Sequence, residues 1–227
     1  MKRTIEIALR DWKNQKNRLP LLLQGARQVG KTYSLLEFGK NNFKYTAYYN
    51  FESNTELQRI FDRDLSPQRI IRELSVYSTS PLVPEETLII FDEIQVCERA
   101  LTSLKYFAED APEYCLAAAG SLLGIAINRN KYSFPVGKVH MKTLFPMNME
   151  EFLWAQGKDQ AASMIRECTE KDSYCSLHNH FLDEYKKFIS IGGMPQVVKQ
   201  YIESQDYNFI VALQKNIIDA HVADMAK

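Results

Sequence analysis

The 227-residue sequence predicts an α/β protein in three layers, a mostly parallel five-stranded sheet with helices on both faces, followed by a small helical subdomain. Three observations predict it. Five short apolar or aromatic runs alternate with segments whose apolar residues fall at helical spacing, the pattern of strand–helix–strand crossovers. A glycine turn, Gly25–Gly30, joins the first run to a helical segment. After Phe145 the alternation stops, and the later segments carry helical periodicity.

The strands are read at Leu19–Gln24, Tyr45–Phe51, Thr87–Asp92, Tyr114–Gly120 and Val139–Phe145, each bounded by turn or helix signals. Thr32–Phe38 reads as a helix stopped by Gly39. Glu56–Leu65 and Gln68–Leu74 follow, with Leu57, Ile60 and Phe61, then Ile70, Ile71 and Leu74, on their apolar faces. Arg99–Asp110 places Leu101, Leu104 and Ala108 on one face, with Pro112 just past its end. Pro146 divides a core at residues 1–146 from the helical part at 147–227. Asn148 opens a helix with Glu151 at capping-box spacing, and Gly157 ends it. Ala161–Glu170, Leu177–Ile189 and Gln196–Glu203 complete the helical part, punctuated by Gly192–Gly193.

Lys and Arg number 28, Asp and Glu 28, so no global field draws the chain to nucleic acid or anionic lipid. Its apolar runs fall far short of the ~20 residues that cross a bilayer. The amino terminus reaches Glu6 before an export-type apolar stretch can form. A cytoplasmic protein is expected, with no membrane partner and no support for DNA. Cys97, Cys115, Cys168 and Cys175 fit neither a CxxC pair nor a zinc spacing and are read as reduced and structural. His178 and His180 lack an accompanying ligand cluster and are read as exposed polar residues.

The chemistry begins at Gly25-Ala26-Arg27-Gln28-Val29-Gly30-Lys31-Thr32, which matches GxxxxGK[ST] between a strand and a helix. The glycines let backbone N–H groups turn inward around a phosphate chain, and the helix amino end adds partial positive charge. Lys31 would reach the β- and γ-phosphates, and Thr32 would bind Mg²⁺. Arg27 and Gln28 are expected to point away, because the backbone does the binding. Downstream, Leu88–Phe91 deliver Asp92 and Glu93 to a strand end. In an open parallel sheet that end borders the ligand crevice, so Asp92 is read as the second holder of Mg²⁺. Glu93 is read as the carboxylate that polarises attacking water.

Ser121 ends the next strand and is read as a γ-phosphate sensor or a group that orients water. A helix cap for Leu122 onward explains it equally. Gln95 either contacts water, relays strand-end movement or opens a helix. The guanine-reading NKxD is absent, since Asn130-Lys131 is followed by Tyr132-Ser133, so ATP is favoured over GTP.

Together, Gly25–Thr32, Thr87–Gln95, Leu104–Phe107, Ala119–Gly124, Phe134–Val139, Glu150–Leu153 and Gly192–Pro195 resemble the AAA-like P-loop ATPases of bacteria and archaea that usually carry a carboxyl-terminal DUF4143 domain. The resemblance implies strand order 5-1-4-3-2, ATP and Mg²⁺ as ligands, and a nucleotide-driven conformational change in an attached or partner domain. Members usually continue into DUF4143, so a chain ending at Lys227 is expected to be an amino-terminal fragment or a truncated product. No clear arginine sensor is evident: the position after Gly137 is Lys138, and the candidates are Arg129 and Arg166. The reading is Mg²⁺-dependent ATP hydrolysis. The alternative is an ATP-dependent switch or scaffold that hydrolyses little until a homo-oligomer neighbour or a partner protein completes the site.

Overall fold

The structure, a computed structural model, describes residues 1–121, 135, 137–170 and 176–225. Arg129, Cys175, the NKxD comparison at 130–133 and the cap proposed for Leu122 lie outside the described residues. The chain falls into two compact units, one of Ile5–Ala26 with Gly30–Leu144, the other of Met1–Thr4, Arg27–Val29 and Phe145–Lys227.

The first unit is built on β1 (Leu21–Gly25), β2 (Tyr45–Asn50), β3 (Thr87–Asp92), β4 (Cys115–Ser121) and β5 (His140–Thr143). Their order is β2-β3-β4-β1-β5, which is 5-1-4-3-2 read from the other edge, and every pairing is parallel. Strands β3 and β4 are buried along their whole length, which is why their sequences run apolar without alternation. The register sets Gly25 opposite Ser121 and Asn50 opposite Asp92, so these strands finish on one edge of the sheet. Behind Asp92, the Phe91 ring meets Tyr49, Phe51, Phe61 and Phe107 edge-on, at centroid distances of 6.2, 5.4, 5.8 and 6.4 Å. Such edge-to-face pairs add geometry to apolar burial and fix the strand that carries the acid.

The helices of this unit depart from the sequence reading in three places. Helix α1 (Ile5–Lys13) is an element the sequence reading did not name, although Ile5, Leu9 and Trp12 follow helical spacing and all are buried. The Trp12 Nε1–H donates to the Leu19 carbonyl at 2.7 Å, which takes Leu19 out of the expected first strand. Helix α2 (Lys31–Asn42) runs through Gly39 instead of stopping there. Gly39 is required by packing: a Cβ at this position would lie 2.5 Å from Thr46 Oγ1 and 3.2 Å from Leu88 Cδ2.

Helix α3 (Glu56–Arg59) is shorter than the expected Glu56–Leu65. After it, Phe61 and Asp62 donate to the carbonyls of Gln58 and Arg59, so the chain tightens into i→i+3 turns while Ile60 and Phe61 stay in the core. Helix α4 (Pro67–Leu74) starts on a proline, which loses no bond in a first turn, and buries Ile70, Ile71 and Leu74. Helix α5 (Glu98–Asp110) buries Leu101, Leu104 and Phe107.

The second unit holds α6 (Met149–Ala155), α7 (Asp159–Glu170), α8 (His178–Ile191), α9 (Pro195–Ser204) and α10 (Tyr207–Met225). Its core gathers Met147, Phe152, Ile191, Val197, Val198, Ile210 and Ile217. Asn148 and Glu151 form both hydrogen bonds of the capping box. Gly192 adopts φ 75°, and a Cβ on Gly193 would meet the Met147 carbonyl at 2.1 Å, so this glycine pair is demanded by both turn and approach. Helix α10 was not named from sequence because its apolar residues, Val211, Ile218 and Val222 among them, also point outward and blur the periodicity. No helix among the described residues is long and apolar enough to cross a membrane.

The two packing glycines should differ in sensitivity. Gly39→Ala gains helix propensity of about 1 kcal/mol but overpacks against a side chain that can rotate, for an expected net loss near 1 kcal/mol. Gly193→Ala meets backbone and is expected to lose about 3 kcal/mol or more. Urea denaturation of both variants checks the order, and a Gly39→Ala chain more stable than the parent would refute the packing account.

Candidate nucleotide-binding site

Between β1 and α2, the loop Ala26–Gly30 turns on two left-handed residues, Gln28 at φ 63° and Gly30 at φ 93°. For Gln28 this conformation is strained by roughly 1–2 kcal/mol, a strain of the kind that collects at functional sites. Arg27 and Gln28 are exposed and Val29 is buried, in line with a loop whose backbone does the work. Lys31 is buried at the start of α2, and its Nζ donates to the carbonyls of Gly25 at 3.1 Å and Ala26 at 2.8 Å. The ammonium thus lies over the loop that precedes it.

One turn of α2 brings Thr32 to the acid of β3. The Thr32 Oγ1–H donates to Asp92 Oδ2 at 2.9 Å, across 60 residues of sequence. Asp92 is buried, and its other oxygen, Oδ1, accepts the Glu93 N–H at 3.1 Å. A hydroxyl and a carboxylate in contact at a helix amino end fit Mg²⁺, which takes oxygen donors and leaves its other positions to phosphate and water. Among the described residues no group of three or more His, Cys, Asp or Glu side chains could hold a metal ion. Cys97 and Cys115 are buried free thiols, and burial pushes both up to about 11.

Tyr48, which the sequence reading passed over, donates its hydroxyl to the same Asp92 Oδ2 at 2.7 Å. Burial, moderated by Asn50 and reinforced by the Asp92 bond, pushes its phenol up to about 12, so it donates throughout the physiological range. The available signal was positional: Tyr48 lies two residues before the end of the strand that pairs with β3.

Glu93 leaves β3 in a left-handed conformation, φ 51° and ψ 42°, and begins a 3-10 turn, Ile94–Val96. The Gln95 amide donates to Glu93 Oε2 and accepts the Ser121 N–H at 3.2 Å. Strands β3 and β4 are parallel neighbours in the sheet. Lys138 pairs with Glu109 at 3.0 Å, and Arg166, a candidate sensor, pairs with Glu150.

The phosphate loop also has an anchor that no spacing in the sequence marks. Arg3, buried, donates Nη1 to the Val29 carbonyl at 3.0 Å and Nη2 to the Phe145 carbonyl at 2.7 Å. Its Nε lies 3.0 Å from Glu151 Oε2. The other Glu151 oxygen accepts both the Thr4 N–H and its hydroxyl at 2.7 Å. In the sequence Glu151 stands as half of a capping box and within the Glu150–Leu153 segment, with nothing to mark its pairing with Arg3.

A glycine loop between the first strand and its helix, an acid ending β3, and β4 inserted between β1 and β3 define a P-loop ATPase of the AAA fold. The chain belongs to the AAA_14 family of AAA domains, whose family model matches residues 17–153. No curated protein matches it significantly in sequence. Among solved structures it is similar to the Walker-type ATPase PABY2304 of Pyrococcus abyssi, at 13% identity and TM-score 0.55, covering 99% of this chain and 75% of that one. Drosophila ORC bound to DNA and C. elegans PCH-2, each at 14% identity, match with TM-scores of 0.45 and 0.46, covering 94% of this chain and 66% of theirs.

Removing one member of a buried ion pair leaves the other uncompensated, at a typical cost of about 3–5 kcal/mol. Arg3→Ala is therefore expected to lower unfolding stability by that amount. A loss below about 1 kcal/mol in urea denaturation would mean that the pair behaves as a solvated surface contact.

Proposed function

We propose that this chain binds Mg·ATP in the cytoplasm and hydrolyses its β–γ phosphoanhydride bond, with nucleotide state driving a conformational change in an attached or partner domain. The observation that supports the reading is the Thr32–Asp92 hydrogen bond, a hydroxyl and a carboxylate of the kind that Mg²⁺ takes, next in sequence to Lys31 and Glu93. Family membership supports the same class of chemistry.

In this reading the N–H groups of Gly25–Thr32 hold the phosphate chain. Lys31 exchanges the Gly25 and Ala26 carbonyls for β- and γ-phosphate oxygens, stabilising the charge that spreads over the transferring group. Bound Mg²⁺, held by Thr32 and Asp92, would neutralise charge on the β- and γ-phosphates. The Glu93 carboxylate orients a water and takes its proton as the water oxygen bonds to the γ-phosphorus. The β–γ bridging oxygen leaves with its electron pair on ADP. Ser121, at the end of β4, orients that water or the γ-phosphate.

The second reading is an ATP-dependent switch with negligible hydrolysis of its own. It draws on the Arg166–Glu150 pair, which engages a candidate sensor, and on Lys138, which follows Gly137 in place of an arginine and pairs with Glu109. A homo-oligomer neighbour or a partner protein would then complete the site. DNA gains no support from the balanced charge.

Phosphate release from Mg·ATP, measured beside nucleotide binding, separates the two. Lys31→Ala is expected to weaken ATP binding and abolish turnover. Glu93→Gln is expected to keep ATP but lose ~10²–10⁴-fold in turnover, the usual share of a positioned general base. Undiminished turnover in Glu93→Gln would remove that residue from the mechanism. Tight binding without phosphate release in the parent chain would favour the switch.

A further inference from the structure

The Gln95 amide joins two groups of opposite hydrogen-bonding character. A carboxylate only accepts and a backbone N–H only donates, so a side chain bridging Glu93 Oε2 to the Ser121 N–H must donate at one end and accept at the other. The partners therefore dictate which way this amide faces: Nε2 to Glu93, Oε1 to Ser121. The backbone beneath it is fixed as well. Val96 N–H donates to the Glu93 carbonyl at 3.0 Å, Cys97 N–H to the Ile94 carbonyl at 3.1 Å, and Ile94 is fully buried. Ser121 in turn sits opposite Gly25 in the β1–β4 register.

We propose that Gln95 is a positioning residue for hydrolysis, fixing the Glu93 carboxylate to the end of β4, the strand that pairs with the one entering the phosphate loop. The inference rests on the reading of Glu93 as the group that activates water. Glu93 follows the strand in a left-handed conformation, so its side chain leaves β3 without the support of a regular strand or helix. Gln95 supplies that support and references it to Ser121. A hydroxyl or an apolar side chain at 95 could not span the two partners with this polarity. A glutamate could keep the Ser121 bond but would turn a second carboxylate toward the first.

The test is a double-mutant cycle on the full chain, read by single-turnover phosphate release from Mg·ATP and by binding of a fluorescent ATP analogue. Gln95→Ala is expected to lower kcat by on the order of 10- to 100-fold, the cost of misplacing a reacting group by about 1 Å. KM and analogue affinity should change by about two-fold or less, because uniform binding is untouched. Gln95→Glu, which preserves size and the Ser121 bond, should lose at least as much. In the Glu93→Gln background, Gln95→Ala should cost nothing further, because its effect passes through the missing carboxylate.

Equal losses in the two backgrounds, a loss carried in KM, or no loss at all would overturn the assignment. Melting temperatures are followed for every variant; if Gln95→Ala unfolds, Gln95→Glu carries the cycle. A parent chain that binds the analogue but releases no phosphate would instead bring down the hydrolytic reading, and this inference with it.

Discussion

Parallel pairing is the constraint on which the rest of this structure depends. Parallel strands cannot be joined by tight hairpins, so each must be followed by a crossover, and all of them then finish on one edge of the sheet. Gly25, Asn50, Asp92 and Ser121 are scattered over almost a hundred residues, yet each ends a strand. The insertion of β4 between β1 and β3 puts a strand of small residues, Ala117–Gly120, at the centre, buried along its whole length. Polar groups that would be costly inside the sheet are carried instead at its rim, where Thr32, Tyr48 and Gln95 supply hydrogen bonds to them.

The parts of the fold legible from sequence were those governed by local rules. Buried parallel strands read as continuous apolar runs, so Thr87–Asp92 was found to the residue. The strand–turn–helix setting of Gly25–Thr32 and the strand end at Asp92 were legible because each is a pattern of adjacent residues. Gly39 was misread because a glycine that ends a helix and one that admits a neighbouring strand look alike in one dimension; only the approach of Thr46 and Leu88 distinguishes them. Ile60 and Phe61 had the right spacing and the right burial but the wrong backbone, since burial constrains side chains more than it constrains turn type.

What the sequence hid were relations between distant residues. Tyr48 shares an oxygen of Asp92 with Thr32, and nothing near Tyr48 in sequence announces an acid. Arg3 and Glu151 form a buried pair across about two-thirds of the sequence. Glu151 satisfies its desolvated carboxylate with Arg3, Thr4 and the Asn148 backbone together, so one side chain closes a helix cap and neutralises a buried cation. Such pairs are costly to desolvate and tolerable only when hydrogen bonds complete them, as the Val29 and Phe145 carbonyls do here for the guanidinium.

The placement of the indole rings has a practical side. The chain has two tryptophans. Trp12 is sealed in the sheet-bearing unit with its N–H on the Leu19 carbonyl, and Trp154 lies half-buried in the helical unit beneath the Lys2 ammonium, 4.2 Å from the ring centroid. Each compact unit thus carries its own intrinsic fluorophore, one buried with the Arg18 guanidinium 5.8 Å from its ring centroid and one half-exposed beside the Lys2 ammonium. With either ring replaced by phenylalanine, emission from the other reports on a single unit, so melting of the sheet and of the helices can be followed separately without an added dye.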